Sequence, residues 1–251
     1  MATLSLDVLA KWFPAVAGAP AKRALGEVSL AVDPGRTLAI IGPSGCGKTS
    51  LLNIAAGLDP EFEGRRAVSP DTRLAYVFQE PRLLPWRSVE QNLEFVLHGV
   101  SDAGARIDKA LHEVELDGAR KVYASRLSLG MARRAALARA FVLRPTLLFL
   151  DEPFVSLDEP TAQRLRLLLL DLLAAYRAAA LFVTHALDEA IMLADHLLFL
   201  SASPGRLLAL RPVELSPAER RDPGTIAAFR ARLLAEDWAA STIFAKPEPF
   251  A

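Results

Sequence analysis

Short apolar runs alternate with longer helical patterns along this chain. Helical periodicity is seen at residues 48–57, 160–177 and 187–194. Most of the apolar runs carry almost no polar residues, which is typical of parallel strands that are covered on both faces. This alternation predicts an α/β fold. The predicted strands are residues 28–32, 37–41, 74–78, 147–150, 180–184 and 196–201.

Two turns indicate that the sheet is mixed rather than purely parallel. Asp33-Pro34-Gly35 separates the first two predicted strands so closely that we expect them to pair antiparallel. The Ser-Pro-Gly turn at 202–206 gives the same expectation near the end of the chain. We therefore predict a mixed, mainly parallel sheet with an antiparallel β portion.

A helical insert interrupts the strand pattern at about residues 81–145. Helices are predicted there at 89–98, 105–114 and 128–143. Because strands resume afterwards, we interpret this segment as an insert within a domain that covers residues 1–215. Residues 216–251 are expected to form a short tail, one amphipathic helix from Ser216 with a loose end at 246–249.

Composition and charge exclude several classes of protein. The 29 basic residues balance the 29 acidic ones, so the chain has no field that would attract a nucleic-acid backbone. The longest apolar stretch, 167–183, is interrupted by charged residues and predicts no membrane span. Asp7 argues against a secretory signal at the start of the chain. The single cysteine excludes an internal disulfide and indicates a reducing compartment.

A glycine-rich run points to phosphate binding. The strand at 37–41 leads into Gly42-Pro43-Ser44-Gly45-Cys46-Gly47-Lys48-Thr49, which fits G-x-x-x-x-G-K-[ST], and a predicted helix follows. Glycines let successive backbone N–H groups surround an anion, and the helix N-terminus adds partial positive charge. Lys48 can hold the β- and γ-phosphates, and the Thr49 hydroxyl can bind Mg²⁺. The alternatives are an incidental glycine-rich turn and a nucleophilic Cys46.

Two carboxylates and a histidine follow buried strands. Asp151-Glu152 ends the strand at 147–150, where carboxylates are costly unless a cation or a substrate uses them. We expect Asp151 to bind Mg²⁺ and Glu152 to orient and deprotonate a water molecule. His185 ends the strand at 180–184, and parallel strands place it on the same edge. There it could contact a γ-phosphate, with a purely structural histidine as the alternative.

The order of the remaining motifs resembles the nucleotide-binding subunit of ATP-binding-cassette (ABC) transporters. Gln79 closes a strand, Leu127-Ser128-Leu129-Gly130-Met131 precedes a helix, and Ser156-Leu157-Asp158 follows the paired carboxylates. The resemblance covers about residues 6–210. Within the family, residues 77–87 and the turn at 203–206 are similar to the importer branch for nitrate, sulfonate and taurine.

The resemblance implies a P-loop nucleotide-hydrolase core that binds ATP and Mg²⁺. It assigns Gln79 to sensing Mg²⁺ and the γ-phosphate, and Phe13 to stacking on adenine, with Trp12 as the alternative. Catalysis is expected of Glu152, His185, Lys48 and Gln79. Metal binding is expected of Thr49, Gln79 and Asp151. Nucleotide binding is expected of Gly42, Pro43, Ser44, Gly45, Cys46, Gly47, Lys48, Thr49, Ser50, Phe13, Ser128, Gly130 and Asp158.

The resemblance also implies partners and a location. Ser128 and Gly130 would bind a γ-phosphate that a second ATP-binding subunit holds, in a homodimer, and Asp158 would lie at the dimer interface. Residues 83–92 would form part of a groove for integral membrane permease subunits. A periplasmic or extracellular solute-binding protein would act indirectly. The chain would then lie on the cytoplasmic face of the inner membrane as a peripheral subunit.

One motif departs from the family pattern. The usual signature is L-S-G-G-Q, and this chain has Leu129 and Met131 at the third and fifth positions. A slow or degenerate ATPase that works with a different partner is therefore an alternative. An ABC exporter or another ABC-type system is a second. A small-molecule kinase is a third, although it leaves Gln79 and the signature unexplained.

Overall fold

The described chain contains two β-sheets and the helices that cover them. The structure is a computed structural model that describes residues 2–15 and 20–236. Within these ranges the strands are β1 Leu4–Phe13, β2 Lys22–Leu25, β3 Val28–Val32, β4 Thr37–Ile41, β5 Glu63–Val68, β6 Leu74–Val77, β7 Leu147–Asp151, β8 Ala179–Thr184, β9 His196–Leu200 and β10 Leu207–Pro212. The α-helices are α1 Lys48–Ala56, α2 Val89–Val96, α3 Ala103–Glu113, α4 Leu129–Phe141, α5 Glu159–Tyr176, α6 Leu187–Leu193 and α7 Pro223–Glu236.

The larger sheet has the strand order β10-β9-β4-β8-β7-β6. Its neighbours pair in parallel except for β10, which runs antiparallel to β9. Strands β4, β7 and β8 are buried at every residue, as their unbroken apolar sequences require. The predicted mixed, mainly parallel sheet is therefore confirmed.

The smaller sheet is antiparallel and is organised by β1, which pairs with β2, β3 and β5. The expectation that the strands at 28–32 and 37–41 pair with each other is wrong, because β3 pairs with β1 while β4 pairs with β8 and β9. The physical reason is burial. Strand β3 alternates between buried and exposed residues, whereas β4 is buried on both faces, so each suits a different sheet.

Three strands of the smaller sheet were not predicted, and they differ in how clearly their sequences indicate a strand. Strand β1 alternates buried and exposed residues along most of its length and has the period of a half-buried strand. Strand β2 has only four residues. Strand β5, Glu-Gly-Arg-Arg-Ala-Val, is exposed or half-buried throughout and is a strand because it pairs with β1.

The large sheet separates two apolar clusters. Ala39 and Ile41 of β4 face the cluster that includes helices α2 to α6, whereas Leu38 and Ile40 face the cluster formed with α1 and the antiparallel sheet. This division follows from the alternation of side chains along a strand. The large sheet is therefore the middle layer, and its strand ends are open to ligands.

Helices replace strands between β6 and β7 in the described chain. Helix α2 begins with a capping box, in which Ser88 Oγ accepts from Gln91 N (3.2 Å) and Gln91 Oε1 accepts from Ser88 N (3.0 Å). Helices α2 and α3 both pack on α4. The interval also holds two 3₁₀ turns, at Asp117–Ala119 and Ala124–Arg126.

The C-terminal segment is a 3₁₀ turn followed by α7, rather than one helix from Ser216. The turn covers Glu219–Arg221, and Asp222 Oδ2 accepts from Thr225 N (2.8 Å) at the start of α7. The predicted loose end at 246–249 lies outside the described residues. No helix within 2–15 and 20–236 has the length and apolarity that crossing a membrane requires.

Prediction for the core. Phe182 of β8 is 1% exposed and lies in the helix-side cluster. We predict that Phe182→Ala lowers the free energy of unfolding by about 3–5 kcal/mol, because it removes a buried ring and leaves a cavity. Phe95→Ala is the matched control, since that ring is 60% exposed, and it should cost less than about 1 kcal/mol. Equal losses in urea unfolding would contradict the assignment of the core.

Candidate phosphate-binding and catalytic site

The predicted phosphate loop connects β4 to α1. Helix α1 begins at Lys48, its N-cap Gly47 has φ of 102°, and the first turn contains no acidic residue or side-chain cap. A Cβ at Gly47 would lie 2.7 Å from Leu25 Cδ2 and 2.9 Å from Ala24 O, so the position requires glycine. The N–H groups of the first turn are therefore available to an anion.

Lys48 lies inside this loop and is 6% exposed. Its Nζ donates to Gly42 O (2.9 Å) and to Pro43 O (3.0 Å). Among the ion pairs of the described residues, none includes this ammonium. A buried cation that is held only by carbonyl oxygens is suited to a phosphate.

Cys46 is packed rather than reactive. It is 1% exposed, and burial raises the pKa of its thiol, which opposes the nucleophilic alternative. Its carbonyl oxygen would lie 2.2 Å from a Cβ placed on Gly205. The turn at 202–206 therefore needs glycine in order to pack directly against the phosphate loop.

A hydrogen bond between Thr49 and Asp151 connects the start of α1 to the end of β7. Thr49 Oγ1 donates to Asp151 Oδ1 (3.1 Å), and Asp151 is 5% exposed. Burial raises the pKa of Asp151, and the adjacent Glu152 raises it further, although the Thr49 hydrogen bond acts in the opposite direction. A buried carboxylate beside a hydroxyl is a fitting oxygen set for Mg²⁺. No group of three or more His, Cys, Asp or Glu in the described chain could hold a metal, so phosphate and water oxygens would complete the coordination.

Glu152 and His185 lie side by side at the ends of neighbouring strands. Glu152 Oε2 is 3.6 Å from His185 Nδ1, and the imidazole is 60% exposed. The Glu152 backbone has φ of 42°, which costs a non-glycine residue roughly 1–2 kcal/mol, and its N–H donates to Val183 O (3.1 Å). The hydrogen bond to strand β8 thus helps to hold Glu152 in a strained backbone conformation, which is common at functional sites.

One cavity of about 340 Å³ collects most of the predicted residues. Phe13 lines this cavity and Trp12 does not, so the geometry favours Phe13 as the aromatic of the site. Lys22 and Ala24 also line the cavity but carry no motif, so their place depends on the pairing of β2 with β1. The lining residues are Phe13, Lys22, Ala24, Ser44, Gly45, Gly47, Lys48, Thr49, Ser50, Gln79 and Glu152.

The signature residues lie apart from this cavity. Ser128 caps α4, and its Oγ accepts from Met131 N (3.3 Å). A Cβ at Gly130 would lie 2.9 Å from Thr161 Cγ2, so the glycine lets α4 approach α5 closely. Ser128, Gly130 and Asp158 line a separate cavity of about 920 Å³, where Leu129 is 42% exposed. The predicted residues therefore do not all share one cavity: Ser128, Gly130 and Asp158 line this second cavity, and His185 lines a third, of about 180 Å³, together with Glu152.

Asp158 caps α5 at the edge of that second cavity. Its Oδ2 accepts from Thr161 N (3.1 Å), and this bond, together with the Thr161 hydroxyl, lowers the pKa of the carboxylate. Gln79 lines the first cavity instead, and its backbone carbonyl accepts from Arg133 of α4. Arg133 thus ties the start of α4 to the phosphate-loop cavity.

Comparison with known proteins agrees with the resemblance inferred from the sequence. The family described as ABC transporter matches residues 25–155. The aliphatic sulfonates import ATP-binding protein of Burkholderia cenocepacia is 44% identical over 217 residues, which are 84% of this chain and 80% of that protein. Its Bacillus subtilis counterpart is 39% identical over 220 residues, with 84% and 86% covered.

A solved structure shows the same fold. A dimeric ATP-binding cassette in a post-hydrolysis state bound to ADP and Pi has a TM-score of 0.72 at 24% identity. The match covers 85% of this chain and 100% of that one. Together, the family match, the sequence relatives and this common fold show that the chain belongs to the ABC transporter family, as one of its ATP-binding subunits.

Proposed function

We propose that this chain hydrolyses ATP to power the import of an aliphatic sulfonate. The observation that carries the ATPase proposal is the convergence of Lys48, the Thr49–Asp151 pair and the Glu152–His185 pair at one sheet edge. The names of the relatives support import, and they favour a sulfonate over nitrate. Taurine is itself an aliphatic sulfonate and stays within the proposal.

The site divides the work among its residues. The loop amides and Lys48 hold the β- and γ-phosphates, and Phe13 stacks on adenine. Thr49 and Asp151, with Gln79, hold Mg²⁺, which when bound neutralises phosphate charge. Glu152 accepts the proton of the attacking water, and His185, whose Nδ1 is 3.6 Å from that carboxylate, contacts the γ-phosphate.

A second copy completes the site. Ser128, Gly130 and Asp158 lie in their own cavity, so the γ-phosphate that one copy holds meets the start of α4 of the other. This arrangement supports the proposed homodimer, in which two ATP molecules are enclosed between the copies. Leu129 stands between the two phosphate-binding residues, and its exposed side chain limits how closely the copies approach.

An exposed aromatic loop supports the proposed permease contact. Asn92 is 1% exposed, and its side chain accepts from Leu84 N (2.7 Å) and donates to Ser88 O (2.9 Å). These bonds fix the loop that presents Trp86, which is 69% exposed. A permease bound there would place the chain on the cytoplasmic face of the membrane, and a solute-binding protein would act through the permease.

Export and a degenerate ATPase are the remaining alternatives. Direction is set mainly by the membrane partner, and import is supported by the names of the relatives. The degenerate case depends on Leu129 alone, since Lys48, Asp151, Glu152 and His185 occupy positions suited to hydrolysis.

Prediction for the general base. We predict that Glu152→Gln lowers steady-state ATP hydrolysis by at least about a hundredfold, because the amide cannot accept the proton of the water. ATP binding should persist, and the dimer should accumulate in gel filtration with ATP and Mg²⁺. Glu214→Gln, at an exposed position remote from the cavity, should leave turnover unchanged. Normal turnover by Glu152→Gln would contradict the assigned role.

Prediction for the signature. Leu129→Gly should raise kcat about threefold or more, equivalent to roughly 0.7 kcal/mol of barrier, because the phosphate can then approach the amides at the start of α4. Leu129→Ala should fall between the wild type and Leu129→Gly. The measurement is phosphate release with the permease present. An unchanged or lower rate in both variants would show that Leu129 does not obstruct the site.

Prediction for the buried carboxylate. A raised pKa means that the folded chain holds the Asp151 proton more tightly than the unfolded chain does. The ionised carboxylate therefore costs stability at neutral pH, and the cost disappears as the pH falls below the raised pKa. We predict that Asp151→Asn raises the free energy of unfolding of the nucleotide-free chain at pH 7 and abolishes Mg²⁺-dependent hydrolysis.

The pH series provides the control for this prediction. The gain from Asp151→Asn should shrink in urea unfolding as the pH is lowered towards about 4, where an ordinary aspartate titrates. Asp71→Asn, at an exposed position, should change stability by less than about 0.5 kcal/mol at either pH. Loss of stability in Asp151→Asn at pH 7 would overturn the interpretation.

A further inference from the structure

Arg166 of α5 is a buried cation that the proposed reaction does not use. Its side chain is 10% exposed. Nη1 donates to Glu189 Oε1 (3.2 Å), Nε donates to Gln163 Oε1 (3.2 Å), and Nη2 donates to Glu159 Oε1. Its guanidinium lies 6.0 Å from the ring of Phe154. One side chain thus reaches several segments that leave the carboxyl edge of the sheet.

The Glu189 contact leads to the turn that carries His185. Glu189 Oε2 accepts from Thr184 Oγ1 (2.6 Å), and Thr184 Oγ1 in turn accepts from Ala186 N (3.0 Å). Thr184 is 1% exposed and directly precedes His185. The path from Arg166 through Glu189 to Thr184 therefore fixes the backbone on both sides of the imidazole.

The other contacts lead to Asp158 and Glu152. Glu159 follows Asp158 at the start of α5, and Phe154 lies two residues after Glu152. A cavity of about 180 Å³ lies between these groups, with Glu152 and His185 among its lining residues together with Arg166. This cavity leaves open space on one side of the Glu152–His185 pair. On that side the pair is supported by the hydrogen bonds of Arg166 with Glu189 and Glu159 rather than by packed side chains.

We propose that Arg166 is a positioning residue for hydrolysis: it fixes the turn of His185 and links it to the start of α5 beside Asp158. This inference rests on the proposed ATPase function. The planar guanidinium can bind Glu189 and Glu159 at the same time, which the single ammonium of a lysine does less well. Without Arg166, the nearly buried carboxylate of Glu189 loses its one ion-pair partner in the described part of the chain, so its hold on Thr184 weakens.

The first test separates catalysis from ATP binding. Arg166→Gln should lower kcat at least about tenfold, in line with the cost of small displacements in a catalytic site, while KM for ATP stays within about twofold. Arg166→Lys should recover part of the lost kcat. Turnover is expressed per nucleotide-binding site, measured by ATP binding to the same preparation, so that loss of folded protein does not count as loss of catalysis.

The matched control is Arg230→Gln. Arg230 of α7 pairs with Asp188 (2.9 Å), the neighbour of Glu189 on α6, and both partners are about half exposed. This variant removes an ion pair to the same helix without touching Thr184 or Glu159, so kcat should not change. A similar fall in kcat for Arg230→Gln and Arg166→Gln would mean that any disturbance of α6 lowers activity, and would overturn the proposal.

A second variant tests the proposal in case Arg166→Gln does not fold. Glu159 is 78% exposed, so Glu159→Gln removes the charge of one partner of the guanidinium with little risk to folding. It should lower kcat about twofold to fivefold with KM unchanged. If the wild type hydrolyses ATP in the assembled transporter while Glu159→Gln and Arg166→Lys both keep full kcat, the positioning role is wrong. If the wild type itself hydrolyses no ATP there, the proposed function fails instead.

Discussion

Three adjacent parallel strands, β4, β8 and β7, end at one edge of the large sheet, and the site depends on this alignment. Ile41 lies opposite Thr184, and Asp151 lies opposite Val183. The residues that follow each strand are therefore neighbours: the phosphate loop after β4, His185 after β8 and Glu152 after β7. The apolar strands that allow burial on both faces thus also bring the reactive groups together.

Several residues at this edge of the sheet lower the stability of the folded chain. Asp151 is a buried acid with a raised pKa, Lys48 is a buried ammonium with no carboxylate partner among the described residues, and Glu152 adopts a left-handed backbone conformation. Arg133 is 4% exposed, and its Nε has no hydrogen-bond partner within residues 2–15 and 20–236, although its other nitrogens donate to the carbonyls of Gln79 and Val155. These groups share a cost in folding, namely the burial of charge or a strained backbone, which is common where residues are selected for function.

Much of this could be predicted from the sequence because it depends on local order along the chain. The glycine spacing of the phosphate loop, the Asp151–Glu152 pair at a strand end and the strand–helix alternation are all local patterns. The helical periodicity between β6 and β7 is likewise a local pattern, and it predicts the helices found there. Two of the errors are non-local: β3 and β4 were expected to pair, and β5 was missed because its polar sequence is a strand only when β1 lies beside it. Strand β1 was also missed, although its alternation is a local pattern.

The sequence by itself therefore determined the fold class and the family and indicated the candidate reactive groups, since these depend on residue type and spacing. Tertiary structure alone showed that Phe13 rather than Trp12 lines the loop cavity, that Ser128 and Gly130 lie apart from it, and that Arg166 of α5 contacts both Glu159 and Glu189. The physical reason is that these relations join residues far apart in the chain, and their distances follow from how sheets and helices pack rather than from any local pattern.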